Sequence, residues 1–313
     1  MKYAFIVNPN SGHGKKAKGF IAKINEIIEK NPDVSLHITE GPMDATIIAE
    51  GLADVAKKTS VDTRIFACGG DGTLNEVLNG IYDRPHVELG VVPIGSGNDF
   101  VRNFASCNFE DINAQLNGNP IPIDLLKIEY EEDGKEKTRY CINGINIGFD
   151  GNTAILSNHL KKKKFFRGHL SYIAAIIMNI AEMRGQNLRI RDQDNIVHAG
   201  ELLLITLSNG RFCGGGIESC PKALVDDGLM EVLIVNKVSR KTFFRLMPSY
   251  IKGELLEKDI SEDIYKYLRS DKITMEPIGG IMQFAVDGEE MKSGKTVIEI
   301  VQNGVKFVLP DSK

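Results

Sequence analysis

The run Gly69-Gly70-Asp71-Gly72-Thr73 puts three glycines in four residues around one carboxylate. Glycine has no Cβ to hold a ligand away from the main chain. N–H groups at the start of a following helix would point at an anion there. Asp71 would repel a bare phosphate, and a magnesium ion between the two removes the conflict. The run therefore suits a metal–nucleotide complex, unless it is a glycine-rich connection without a ligand. Two more loops carry similar chemistry. Asn8-Pro9-Asn10-Ser11-Gly12 offers amides and a hydroxyl, or is a plain connection with Ser11 as an N-cap. Gly95-Ser96-Gly97-Asn98-Asp99 brings a hydroxyl, an amide and a carboxylate, unless Asp99 only caps the next helix. Asp124 lies between Ile123 and Leu125, so it is buried with a partner or a metal, or faces solvent on an edge strand. Asp226-Asp227-Gly228 and Asp287-Gly288-Glu289 read locally as turns. The first pair of carboxylates, between Leu224 and Leu229, is also a donor set for a hard cation completed by main-chain carbonyls.

Alternating strands and helices must position the first three loops. Tyr3–Val7, Val34–Thr39, Ile65–Cys68 and Leu89–Pro93 read as strands. Helical spacing joins Phe20, Ile21, Ile24, Ile27 and Ile28, then Ile48, Leu52, Val55 and Ala56, then Leu74, Val77, Leu78 and Ile81. Such alternation implies a mostly parallel sheet covered on both faces, with ligands at the carboxyl ends of its strands. After Asp124 the pattern becomes β-rich, as expected of two packed antiparallel sheets. Leu125–Tyr130 and Lys137–Ile142 flank Glu132-Asp133-Gly134-Lys135 as a hairpin. Leu188–Arg191, Glu201–Ser208, Leu229–Val235, Ile273–Pro277, Met282–Val286 and Val297–Val301 are further strands, and Leu170–Met183 and Lys241–Leu256 are helical. The apolar tail Val305–Pro310 is expected to dock.

The chain has 313 residues, enough for two domains, and a net charge of −4, which argues against a dedicated nucleic-acid binder. No apolar run is long enough to cross a membrane as a helix. Met1–Val7 runs straight into a strand, so no signal peptide is expected, and five scattered cysteines fit reduced thiols in a cytoplasmic protein. There is no Walker A spacing, no GxGxxG fingerprint and no zinc pattern. Lys161-Lys162-Lys163-Lys164-Phe165-Phe166-Arg167 suits anionic headgroups, or is a solvated face.

Together these residues resemble the catalytic-domain family of soluble bacterial lipid kinases. That family includes diacylglycerol kinases and is related to sphingosine and ceramide kinases and, more distantly, to NAD kinases. The resemblance rests on the Asn8–Gly12 loop, GGDGTLN at 69–75, PIGSGNDF at 93–100, Asp226-Asp227-Gly228 and Asp287-Gly288-Glu289, in the family's order and spanning nearly the whole chain. GGDGT alone is shared with NAD kinases. One departure is Ser96, where the family more often has threonine.

The resemblance implies an ATP-binding α/β domain over 1–124, similar to those of NAD kinases and phosphofructokinases and completed by 296–313. A β-sandwich lipid-acceptor domain would span 125–295, across a cleft from the first. Carried over by position, Asn8, Pro9, Asn10, Ser11, Gly12, Thr39, Gly69, Gly70, Asp71, Gly72, Thr73, Leu74, Asn75 and Ser96 would line the ATP site. Asp71 would engage magnesium on the ATP phosphates, and Asp99 and Asp124 would extend its carboxylate network. Glu289 would be the general base toward a lipid hydroxyl. A structural magnesium would sit on Asp227 and the carbonyls of Leu224 and Leu229, with Asp226 a competing carboxylate. The implied partner is a lipid alcohol such as diacylglycerol, met by transient contact with the inner face of the membrane. A homodimer is among the states allowed. Two other readings stand beside this one. They are a kinase of a soluble acceptor such as NAD, and a nucleotide-binding regulator without catalysis. Against the second stand Asp71, Asp99, Asp124 and Glu289, which a pure binder does not need.

Overall fold

The computed structural model describes residues 1–148 and 185–311. The basic run Lys161–Arg167 and the helix expected over Leu170–Met183 lie outside the described residues. The chain divides into two compact units, Met1–Asp124 with Gln302–Lys313, and Leu125–Val301.

Unit 1 is built on four parallel strands, β1 (Lys2–Val7), β2 (Val34–Ile38), β3 (Thr63–Gly69) and β4 (Val87–Pro93), in the order β4-β3-β1-β2. Their alternate residues divide between two faces. Phe5, Val7, Phe66 and Cys68 bury one face against Ala17, Phe20 and Ile24 of α1 (Lys15–Ile28), and the Phe5 and Phe66 rings stack at 4.5 Å. Each buried aromatic contributes about 1.5–3 kcal/mol. The other face is covered by α2 (Asp44–Thr59) and α3 (Asp71–Ile81).

The α2 stripe differs from expectation. Its buried residues are Ala45, Thr46, Ala49, Ala53 and Ala56, whereas Val55 is 57 % exposed. Close packing explains this. A Cβ at Gly80 of α3 would fall 2.8 Å from the Ala49 Cβ, so the helices meet where only small residues fit. The short α4 (Ile112–Leu116) ends on Arg64, whose buried guanidinium donates to the carbonyls of Gln115, Leu116 and Gly118 and pairs with Glu88. A buried cation is tolerated there because all of those partners are present.

The expected docking of the tail is observed. The last strand, β15 (Thr296–Leu309), ends parallel to β4, with Phe307 opposite Leu89. Phe307 is fully buried among Phe100, Phe104 and Phe109, with centroids 5.1, 5.7 and 6.0 Å away. Asp124, on β5 (Asn119–Glu132), accepts the Asn303 N–H at 2.8 Å.

Unit 2 is a β-sandwich of antiparallel pairs. Its strands are the rest of β5, β6 (Lys135–Cys141), β7 (Gly144–Gly148), β8 (Gln186–Asp192), β9 (Asn195–Ser208), β10 (Met230–Asn236), β11 (Tyr265–Ser270), β12 (Lys272–Pro277), β13 (Met282–Val286), β14 (Glu289–Ser293) and the start of β15. The hairpin β5–β6 turns at Asp133-Gly134, as expected. The first half of β9 pairs with β8, and the second half pairs with β7 and β10. One strand thus serves both layers, whose inner faces share a core of Leu188, Ile190, Ile147, Leu207, Met275 and Phe284. On the outer side of β9 and β10, α5 (Arg240–Ile251) covers a second core with Phe243 and Tyr250, and Ser239 caps it by accepting the Thr242 N–H. No helix among the described residues is long and apolar enough to cross a membrane.

Candidate active site

Parallel strands carry their carboxyl ends to one edge, so β1 to β4 deliver four of the predicted segments together. Asn8–Gly12 follows β1, Thr39 follows β2, Gly69–Asn75 joins β3 to α3, and Ser96 and Asp99 follow β4. Cross-links tie these segments together. Thr39 N–H donates to the Val7 carbonyl at 3.0 Å, Asn8 N–H to the Cys68 carbonyl at 3.0 Å, and Gly95 N–H to the Gly69 carbonyl at 2.8 Å. The Asn8 amide reaches the Thr73 hydroxyl at 3.5 Å.

The glycines answer to two demands. A Cβ at Gly95 would land on the Gly70 backbone, and one at Gly69 on the Thr73 side chain, so these two serve contact between protein segments. Gly97 faces the carboxylate, since a Cβ there would lie 2.6 Å from Asp71 Oδ2. Asp71 opens α3, whose first backbone hydrogen bond runs from Leu74 N–H to the Gly70 carbonyl. The N–H groups ahead of Leu74 have no acceptor within the helix, which makes this end attractive to anions.

Ser11 and Asp99 play local roles other than helix capping. Ser11 begins a 3-10 turn (Ser11–Gly14) rather than capping α1, whose N-cap is Gly14 in a left-handed conformation. Asp99 makes no side-chain cap to the turn Phe100–Asn103. Its N–H instead donates to Asp71 Oδ1 at 2.7 Å, and its carboxylate lies 3.5 Å from Arg102 Nε. Arg102 also donates to the Gly97 carbonyl at 3.2 Å. Asn98, with φ of 55°, folds its amide back onto the carbonyls of Pro93 and Gly95. Neither Arg102 nor the loop-forming role of Asn98 is announced by residue type alone. An arginine three residues after an aspartate in a short turn was the available signal for the first. The structure brings Asp71 and Asp99 together, and Asp124 accepts the Asn303 backbone N–H. Ser96 is exposed.

In unit 2, Asp287-Gly288 is a two-residue hairpin turn joining β13 to β14, with φ of 46° and 88°. Asp287 is buried and accepts the N–H groups of Ile142, Asn143 and Gly144 at 3.0–3.1 Å, together with the Cys141 thiol. Burial and this carboxylate both push the Cys141 thiol above its ordinary pKa, burial more strongly. Glu289, two residues on, is exposed at the start of β14, opposite Val286.

Asp71 passes a first test as a magnesium ligand. It is a hard carboxylate at a helix start, with one oxygen oriented by Asp99 and the other facing a glycine. The Asp227 turn fails the same test. Asp227 Oδ1 accepts the Leu229 N–H at 3.1 Å, and Oδ2 is ion-paired with Arg269. Leu224 is exposed, as is Asp226. Among the described residues no group of three or more His, Cys, Asp or Glu side chains could hold a metal.

Known proteins match the chain from end to end. Residues 2–128 match the diacylglycerol kinase catalytic domain, and residues 144–308 match the YegS C-terminal NAD kinase beta sandwich-like domain. The chain belongs to the YegS-type diacylglycerol kinase family. Within that family it is 28 % identical to a probable lipid kinase YegS-like protein of Serratia proteamaculans, over 97 % of this chain and 93 % of the relative. It is 27 % identical to a diacylglycerol kinase of Mycobacterium tuberculosis, over 82 % and 81 %. A solved diacylglycerol kinase of Bacillus anthracis shares the fold with a TM-score of 0.70 at 21 % identity, covering 99 % of this chain and 97 % of that one. An NAD kinase of Archaeoglobus fulgidus in complex with ATP shares it with a TM-score of 0.51 at 13 % identity, covering 99 % and 94 %. The chain is therefore a lipid-kinase family enzyme, and membership of a kinase family implies ATP as phosphoryl donor.

Proposed function

We propose that the chain transfers the γ-phosphate of ATP to the hydroxyl of a lipid such as diacylglycerol, giving ADP, a proton and a lipid phosphate such as phosphatidic acid. The observation that carries this reading is the Asp71–Asp99 arrangement at the start of α3, within a chain matched along its length by lipid kinases. Phosphoryl transfer needs positioning and charge neutralisation more than covalent help. The loops at Asn8–Gly12, Gly69–Asn75 and Ser96, with Thr39, hold the nucleotide, and the backbone N–H groups at the α3 start bind its phosphates. Asp71 holds the magnesium of the nucleotide, and Asp99 and Arg102 keep Asp71 oriented. Magnesium, when bound, supplies neutralisation of the phosphate charge. Asp124 anchors the returning β15.

Glu289 accepts the proton of the attacking hydroxyl. A carboxylate in that role needs only to be in reach and unprotonated at working pH. Its place two residues after a buried, four-donor aspartate supports a fixed position for this otherwise exposed side chain. A membrane-borne acceptor means that the enzyme works by transient contact with a bilayer surface, on the cytoplasmic side where ATP is found.

Purified protein with labelled ATP, magnesium and mixed micelles of several lipid alcohols tests the reading. Label is expected in the organic phase, and the lipid that carries it names the acceptor. Binding of ATP with no transfer to any lipid alcohol, and transfer to a soluble alcohol such as NAD instead, would overturn it.

A further inference from the structure

The family resemblance assigns a structural magnesium to the turn before β10, and that turn holds a different cation. β10 and β11 are antiparallel neighbours, and their register sets Glu231 directly opposite Arg269. The Arg269 guanidinium reaches both carboxylates of the site. Its Nη2 pairs with Asp227 Oδ2, and its Nε lies 2.9 Å from Glu231 Oε1. The other Asp227 oxygen closes the turn on the Leu229 N–H. Glu231 is only 1 % exposed, with the Arg269 guanidinium and the Tyr267 hydroxyl as its polar neighbours. This carboxylate is buried with a facing charge as its compensation.

We propose that Arg269 is the resident cation of the Asp227–Glu231 site, taking the place of a structural metal. Three properties suit a guanidinium to it. Its charge is permanent at any pH the fold experiences. Its planar fork presents several N–H groups and can bridge two carboxylates at once. It is tethered to β11, so it is present whatever the metal supply. Magnesium demands near-octahedral oxygen ligands, and here the Asp227 oxygens already face a guanidinium and a backbone N–H. A magnesium ion beside Arg269 would also set two like charges against each other. Magnesium dependence of the enzyme then belongs to the nucleotide alone, and this turn is indifferent to metal.

The experiment uses full-length protein without nucleotide or lipid, so its outcome is independent of the acceptor question. Metal content is measured after dialysis, and thermal midpoints are compared in EDTA and in millimolar magnesium for wild type, D227N, R269K and R269A. Wild type is expected to carry no stoichiometric metal and to melt at the same temperature in both buffers. R269A is expected to melt lower in EDTA and to recover part of the loss with magnesium, because the vacated carboxylates then accept an ion. R269K keeps a positive charge and is expected to melt between the two, without a magnesium response. One metal per chain in wild type, with a midpoint that falls in EDTA and a response abolished in D227N, would overturn the assignment. If R269A does not fold, the wild-type metal content and the D227N and R269K midpoints decide the matter.

Discussion

The backbone N–H of Asp99 donates to the Asp71 carboxylate at 2.7 Å, so the loop after β4 orients the acid that opens α3. Replacing Asp71 by asparagine removes the charge and weakens this acceptor. D71N is expected to lower kcat about 10²–10³-fold, the range for loss of one preorganised electrostatic group. Steady-state kinetics at several magnesium concentrations check it, and a rate near wild type at saturating magnesium would remove Asp71 from the metal role.

Gly95 permits the approach of the same two loops. G95A would set a Cβ against the Gly70 backbone, where no flexible side chain can give way. ATP affinity measured by calorimetry is expected to fall at least tenfold, with the far-ultraviolet spectrum unchanged.

Asp287 and Glu289 divide structure from chemistry within one hairpin. D287A leaves three backbone N–H groups without their acceptor. The expected loss of stability is roughly 3–9 kcal/mol, taking about 1–3 kcal/mol for each of the three buried unsatisfied groups. E289Q is exposed and should stay within about 0.5 kcal/mol of wild type, while transfer falls and ATP binding holds. Urea denaturation and turnover on the two variants separate the roles. A turnover near wild type in E289Q would dismiss Glu289 as the base.

Burial pushes the Glu231 carboxyl above its ordinary pKa, outweighing the opposing influence of Tyr267 and Arg269. The folded state therefore holds this proton more tightly than the unfolded chain. Stability from this group is complete below the unfolded value of about 4.3 and is lost as pH rises through the folded value. As pH rises above about 4.3, wild type should lose more stability than E231Q, read from urea midpoints at successive pH values.

Cys68, Cys141, Cys213 and Cys220 are buried, and Cys107 is half-buried. Burial also raises the Cys68 and Cys141 thiols, which lowers their reactivity further. A thiol reagent near pH 8 is expected to label Cys107 first, and all five cysteines only in denaturant.

Strong periodicity made the strands and helices of unit 1 legible, and the three glycine-bearing loops followed from where parallel strands end. Less legible were elements whose identity depends on neighbours. β7 is short and framed by Gly144 and Gly148, β11 mixes Tyr265, Lys266 and Arg269, and β14 opens on Glu289 and Glu290, so none has an apolar pattern long enough to announce a strand. Tertiary pairing makes them strands. The α2 face departs from its apolar periodicity because close helix packing selects alanines over the larger Ile48, Leu52 and Val55. At the site, residue types announced Asp71 and Asp99, but not their hydrogen bond, which joins positions 28 residues apart. The Asp227 turn shows the same limit from the other side. Its carboxylates suggested a metal, and the cation facing them comes from Arg269, 42 positions away.

The seating of Phe307 beside β4 bears on how the chain is made. A ribosome releases residues 125–301 before it releases the strand that completes the first sheet. Until then the outer edge of β4 offers unpaired N–H and C=O groups, and the pocket of Phe100, Phe104 and Phe109 stays open. The nascent nucleotide-binding half must wait, incomplete and prone to self-association, while the sandwich folds. Truncation ahead of Phe307 would therefore be expected to yield aggregates during synthesis, even with every residue of the β1–β4 loops present.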